Sequence, residues 1–202
     1  MELSHLVMDP DTDIAELAAF LDGLNASQRW MQLRQLGRDQ QRRLYHKASG
    51  RIDLAQLVGD AGSHVEVVHD GLNTLAVPAP LRRFQKRFCR PSDQGADELF
   101  GYNEGPLRRV IGPGYFVASP CSDAVQRSLG GVVVDYYRVP DGPVLDGWPR
   151  VVPNRKGLQR FVYDQTRDFL RRVSSHVSVG AAFKRGRPLD HYFVLCRRIE
   201  PR

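Results

Sequence analysis

Histidine, serine, cysteine and arginine fall in four places where their types and spacing could support chemistry. The segment Ser175-His176-Val177-Ser178-Val179 has a near copy, Ser63-His64-Val65-Glu66-Val67, more than a hundred residues earlier. Phosphate-ester chemistry with two histidines uses two H-x-[ST] strands facing one another. One His acts as general base, the other as general acid, and the hydroxyls hold the phosphate. The period-2 geometry of a strand puts His176 and Ser178 on one face. His64 would supply the second histidine, but Glu66 sets a carboxylate where a hydroxyl should meet phosphate. Six His among 202 residues yield roughly 0.4 H-x-[ST] matches by chance, so one match has little weight.

Glu66 could instead be a metal ligand. His64 and Glu66 with His176 or His191 would form the 2-His-1-carboxylate set of non-haem iron sites, with His69 close by. Such a site usually needs a larger double sheet than this chain shows. Residues 121–128, CSDAVQRS, match C-x5-R-S, in which a thiolate attacks phosphorus and Arg binds its oxygens. That chemistry needs a helix beginning at the Arg to receive the anion. Here a glycine turn leads into the strand-like VVVDYY, so a connection between strands is the simpler reading. Cys89, between Arg87 and Arg90, would have a lowered pKa if exposed.

The fourth candidate is anion binding. LRRFQKRFCRP sets Arg82, Arg83, Lys86, Arg87 and Arg90 around Phe84 and Phe88. Periodicity leaves it open between a helix and an extended segment; as a helix it would align 83, 86, 87 and 90 along one face toward a phosphate backbone or an acidic partner. Tyr102 or Phe84 could stack on a base. Tyr102 and Asn103, in the Gly-rich loop GYNEG, could line a pocket. The formal charge is +6, and Arg supplies 25 of the 29 basic residues. Residues 1–28 hold six acids and no Lys or Arg, leaving the remainder with 29 basic against 17 acidic side chains. This split predicts that the acidic end packs on the basic body or faces a different partner. Arg excess also follows from a GC-rich genome, with no functional cause.

These residues need a scaffold. TDIAELAAFLDGL places Ile14, Leu17, Ala18 and Leu21 on one helical face, capped by Thr12 or Asp13 and closed at Gly23. A second helix is predicted from a Ser27 cap to about Tyr45, weakened at Gly37, and a short third in RIDLAQLVG. HVEVV from His64 reads as a strand entering the turn HDGLN. Residues 91–114 read as loops. YFVA (115–118) and VVVDYYRV (132–139) read as strands, and the proline-rich stretch 140–153 as an ordered connection. The clearest predicted helix starts at an Asn154 cap and buries Leu158, Phe161, Val162, Phe169 and Val173. HVSVGAAF and HYFVLCRRI then flank KRGRPLD as a closing antiparallel hairpin.

The expected fold is therefore α+β. A helical N-terminal region (1–60) precedes a mainly antiparallel sheet with one long packed helix (61–202). No apolar run approaches the roughly 20 residues that span a bilayer, and no secretory leader or disulfide framework is evident. The reading is a cytoplasmic protein with no membrane partner. It binds an anionic or polar ligand, nucleic acid or an acidic protein surface through Arg83, Arg87, Arg90, Tyr102 and Asn103. The alternative is an enzyme using His176, Ser178 and His64 on a phosphate ester, or His64, Glu66 and His176 on a metal. The sequence assigns no cofactor.

Overall fold

The computed structural model describes residues 2–49, 51–91 and 97–198. Five helices come first: α1 (Leu3–Met8), α2 (Ile14–Asp22), α3 (Ala26–Leu33), α4 (Arg38–Lys47) and α5 (Leu54–Val58). α2 forms where its apolar spacing predicts and buries Leu17 and Leu21. A reciprocal capping box fixes its start: the Glu16 N–H donates to Asp13 Oδ1 at 2.8 Å and the Asp13 N–H to Glu16 Oε2 at 3.0 Å. The long second helix is instead two. Asn25 and Gln28 form another capping box before α3, and Gly37 adopts an extended conformation as the N-cap of α4. A glycine that weakens a helix interior serves well at its end. α5 is the predicted third helix, capped by Asp53.

The rest of the chain overturns the α+β expectation. Its eight strands are β1 (Val67–Asn73), β2 (Arg83–Cys89), β3 (Leu99–Glu104), β4 (Phe116–Pro120), β5 (Val132–Asp135), β6 (Thr166–Arg172), β7 (Val177–Lys184) and β8 (Arg187–Arg197). Each pairs antiparallel with the next, and β8 pairs with β1, so the sheet closes into a barrel with no free edge. The hairpin of β7 and β8 forms where it is predicted, but most of the expected KRGRPLD loop is strand and only Arg185 and Gly186 make the turn. HDGLN is not a turn but the body of β1. The supposed loop 91–114 contains β3 and the short helix α6 (Arg108–Ile111).

No long packed helix exists between 154 and 173. That stretch holds one helical turn, α8 (Gln159–Val162), then Gln165 at φ 59°, then β6. A left-handed residue ends the helical run. Beyond it the side chains alternate, with Asp168 and Leu170 turned inward and Phe169 packed on the outer face with Cys121, Val133 and Phe183. Both faces of β6 are covered, so apolar residues occur on each and mimic a helical stripe. Asn154 caps nothing; its Nδ2 donates to the Tyr115 and Tyr136 carbonyls at 2.7 and 2.8 Å, joining the ends of β4 and β5.

Two apolar cores result. α1 to α4 lie on the outside of β7 and β8, where Leu3, Leu17, Leu33 and Leu44 meet Val177, Val179, Val194 and Cys196. This layer is held by apolar contact rather than by charge. None of the six acids of residues 1–28 makes a salt bridge among the described residues. The second core fills one half of the barrel. α5 plugs that end, packing Leu57 and Val58 against Phe88, Leu99, Phe116 and Leu195. An eight-stranded barrel is just wide enough to be filled by side chains or to hold one small ligand. Here one half is filled and the other is open.

Candidate functional site

The open half is a cavity of about 310 Å³, lined at its mouth by the β1–β2, β3–β4 and β5–β6 connections and by the β7–β8 hairpin strands. Its walls are mostly apolar, including Leu75, Val77, Leu81 and Ile111. Its floor is polar. Period-2 alternation turns Lys86, Asn103, Tyr136 and Asp168, from four different strands or strand ends, into the barrel axis. Lys86 Nζ lies 3.1 Å from Asp168 Oδ2 and 3.1 Å from Asn103 Oδ1, and it also donates to the Tyr136 hydroxyl. These three partners use all three ammonium donors. Tyr136 is 3.3 Å from Asp168 Oδ2, and Asn103 is fixed by donating to the Gly114 carbonyl at 3.0 Å.

Aromatic rings enclose the ammonium. Nζ is 4.8 Å from the Phe116 ring centroid, 5.0 Å from Tyr136, 5.1 Å from Phe193 and 5.9 Å from Phe84, all within cation–π range. A repeated local device places three of these rings. Phe84, Phe116 and Phe193 each sit directly across a glycine on the neighbouring strand, Gly71, Gly101 and Gly180. A Cβ on those glycines would come within 2.6, 2.5 and 2.2 Å of the rings. Absence of a side chain there lets each ring lie on the barrel wall beside Lys86.

Lys86 is 1% exposed and Asp168 4%. Burial disfavours both charges, drawing the Lys86 amine down from its ordinary range and the Asp168 carboxyl up; their mutual attraction works against both shifts. The pair therefore lies nearer to exchanging its proton than a surface pair does. Burial also raises Tyr136 well above the usual phenol range, with Asp168 adding to the shift, so its hydroxyl keeps its proton.

The predicted anion-binding residues divide. Asn103 is on the cavity floor and Arg83 lines the cavity, so these two come together. LRRFQKRFCRP is a strand, not a helix, and the face shared by 83, 86, 87 and 90 does not exist: Lys86 turns in with Phe84 and Phe88, while Arg87 ion-pairs with Glu66 at 2.9 Å. Tyr102 is buried outside the barrel, edge-on to Trp148 with centroids 4.9 Å apart. Arg90 is half-buried beyond the end of β2.

His191 lines the open cavity, but the other catalytic and metal candidates lie toward the plugged end, where His69 meets Leu57 of α5. His64 is exposed, with its N–H on the Arg90 carbonyl at 3.0 Å. Glu66 is engaged by Arg87 and by Trp148 Nε1 at 2.6 Å. His176 faces Arg197, with Nη2 3.3 Å from Nδ1, and burial together with Arg29 and Arg197 lowers its pKa. Ser178 is buried, and its Oγ has no hydrogen-bond partner among the described residues. Among those residues no group of three His, Cys, Asp or Glu is placed to hold a metal.

The thiols are not activated. Cys121 is 7% exposed and burial pushes it up to about 11. The helix α7 (Ala124–Leu129) contains Arg127 rather than starting at it, and Arg127 donates to the Ser122 carbonyl at 2.6 Å. Cys89 is 1% exposed, so the expected lowering is reversed and its thiol is pushed up to about 12. Both should resist an aromatic disulfide reagent in the folded protein and react only in denaturant; rapid native labelling would contradict this burial.

No known protein family and no curated protein matches this sequence. Lys86, Tyr136 and Asp168 were missed as a group because 136 and 168 look unremarkable in the sequence and Lys86 sits in a basic run. The available signal was the alternation of Phe84, Lys86 and Phe88 against Arg83, Gln85 and Arg87.

Proposed function

We propose that the protein binds a small, mainly apolar molecule carrying one polar group inside the barrel. The observation that carries this reading is the buried Lys86–Asp168 pair on the floor of an open apolar cavity. A closed ion pair in a filled core gains little over well-packed apolar residues. At the base of a cavity it supplies a fixed orienting group for a ligand that enters apolar end outward. About 310 Å³ is at the small end of ligand cavities. Asp168 Oδ1 receives no hydrogen bond from the described residues, and Lys86 has no donor to spare. The floor thus favours a ligand that donates a hydrogen bond. One carboxylate balances the one ammonium, which disfavours an anion and a phosphate dianion most of all.

The mouth suits an apolar guest. Leu107 on the approach to α6, Val110 within it, and Leu158, Phe161 and Val162 at α8 are 38–66% exposed around the opening. Thermal unfolding with octanol, octylamine and octanoate tests the reading. At about a hundredfold its Kd a ligand adds about 2.7 kcal/mol, which raises Tm by roughly 5–10 °C in a chain of this size. Octanol and octylamine should do so and octanoate least. Ala182, which lines the cavity, offers the control: Ala182→Phe fills the space and should abolish the shift. Equal shifts in both proteins would remove the cavity from the explanation.

A further inference from the structure

We infer that the barrel takes carbonyl compounds covalently, with Lys86 Nζ forming a Schiff base to an apolar aldehyde or ketone. This rests on the interior-cavity reading above and adds a second ligand class to it: a carbonyl compound donates no hydrogen bond to Asp168 Oδ1 and is held instead by the covalent bond to Lys86. Three observations carry it. Lys86, Tyr136 and Asp168 all line the cavity, so a carbonyl compound bound there lies beside all three. Asp168 Oδ2, 3.1 Å away, can take the ammonium proton, and the Tyr136 hydroxyl bridges the two groups. Finally, the surroundings suit the product: a protonated Schiff base puts a cation where the ammonium was, retaining the Asp168 counter-ion and the Phe84, Phe116 and Phe193 rings.

The step balances without an oxidant or reductant. Lys86 passes a proton to Asp168, and the amine lone pair attacks the carbonyl carbon, forming the N–C bond as the C=O π bond opens onto oxygen. The proton held by Asp168 returns to that oxygen through the Tyr136 hydroxyl, giving a carbinolamine. Asp168 then takes one proton from the carbinolamine nitrogen, whose freed lone pair expels the hydroxyl; that proton passes through Tyr136 to the departing oxygen, which leaves as water. The one proton remaining on nitrogen makes the product a protonated Schiff base with the Asp168 carboxylate as its counter-ion. Burial that draws the Lys86 pKa down eases the first proton transfer.

The chain has four lysines, Lys47, Lys86, Lys156 and Lys184, and Lys86 is 1% exposed. Folded protein is treated with octanal and cyanoborohydride, which delivers hydride to the imine carbon and leaves a stable secondary amine. Peptide mapping by mass then locates the octyl group. The expected result is one adduct on Lys86, forming at least tenfold faster than on exposed Lys156, and slowed severalfold in Tyr136→Phe. Faster labelling of Lys156 than of Lys86 overturns the proposal. If octanol still raises Tm in that case, only the carbonyl chemistry fails; if octanol also has no effect, the cavity reading falls with it. Because the wild-type chain carries the primary readout, a variant that misfolds does not blunt the test.

Discussion

Lys86→Met should destabilise the protein by about 3–5 kcal/mol, and Asp168→Leu by a similar amount, whereas the double substitution should restore stability to near the wild-type value. The asymmetry follows from burial. Each single change strands one charge in a site whose walls are Phe84, Phe116 and Phe193, with both partners under 5% exposed. The double change replaces two desolvated charges with apolar side chains of similar volume. Urea unfolding at pH 7 measures all four proteins on one scale. The Lys86→Met deficit should also grow as pH rises. A lone buried Asp168 has its folded pKa raised above the unfolded 3.8, so the folded state holds the proton more tightly and loses stability as that proton leaves. Crucially, the double variant should fold yet lose its response to octanol. A double variant as unstable as either single one would mean that the pair is a structural requirement of the barrel, and the functional argument built on it would fail.

What could be read from the sequence follows a physical division. α2 and α5 were legible because each has a capping residue and a single buried apolar face. The β7–β8 hairpin was legible because Val177, Val179 and Ala181 alternate with small residues on the inward side. β6 was not. Leu170 faces one core and Phe169 another, so the period-2 signal is blurred and the remaining apolar positions fit a helix equally well. β2 stayed undecided between helix and strand for a different reason. Lys is almost never fully buried unless paired, and its partner Asp168 lies eighty-two residues away in sequence, on a strand that was itself read as helix. Barrel closure is a long-range property, since β1 has to meet β8, and no local pattern encodes it. Asn103 was placed in a pocket from a loop reading, and it reaches the cavity because the loop is really a strand.

Acid should weaken the barrel from its plugged end, through His69. This side chain is 2% exposed on β1, and its Nε2 is 2.7 Å from the Leu57 carbonyl of α5. A carbonyl can only accept, so Nε2 carries the hydrogen and Nδ1 is left bare, with no partner among the described residues. Protonating Nδ1 would add a buried charge facing Arg197 and Lys86, with Asp70 offering weaker relief. Burial is the largest cause, and together these hold His69 down to about 4 from 6.5. In the unfolded chain the imidazole takes its proton near 6.5 while the folded one refuses it. Stability is therefore complete above pH 6.5 and falls as pH drops toward 4, by about 3 kcal/mol over the window. His176 is also shifted down and acts in the same direction, so the informative quantity is the difference from His69→Phe, which cannot titrate and keeps the edge-on ring contact with Phe88. Urea midpoints at pH 7.5 and pH 4.5 should lie much closer together in His69→Phe than in the wild type. An equal acid loss in both proteins would assign the acid sensitivity to other groups and leave the α5 plug indifferent to pH.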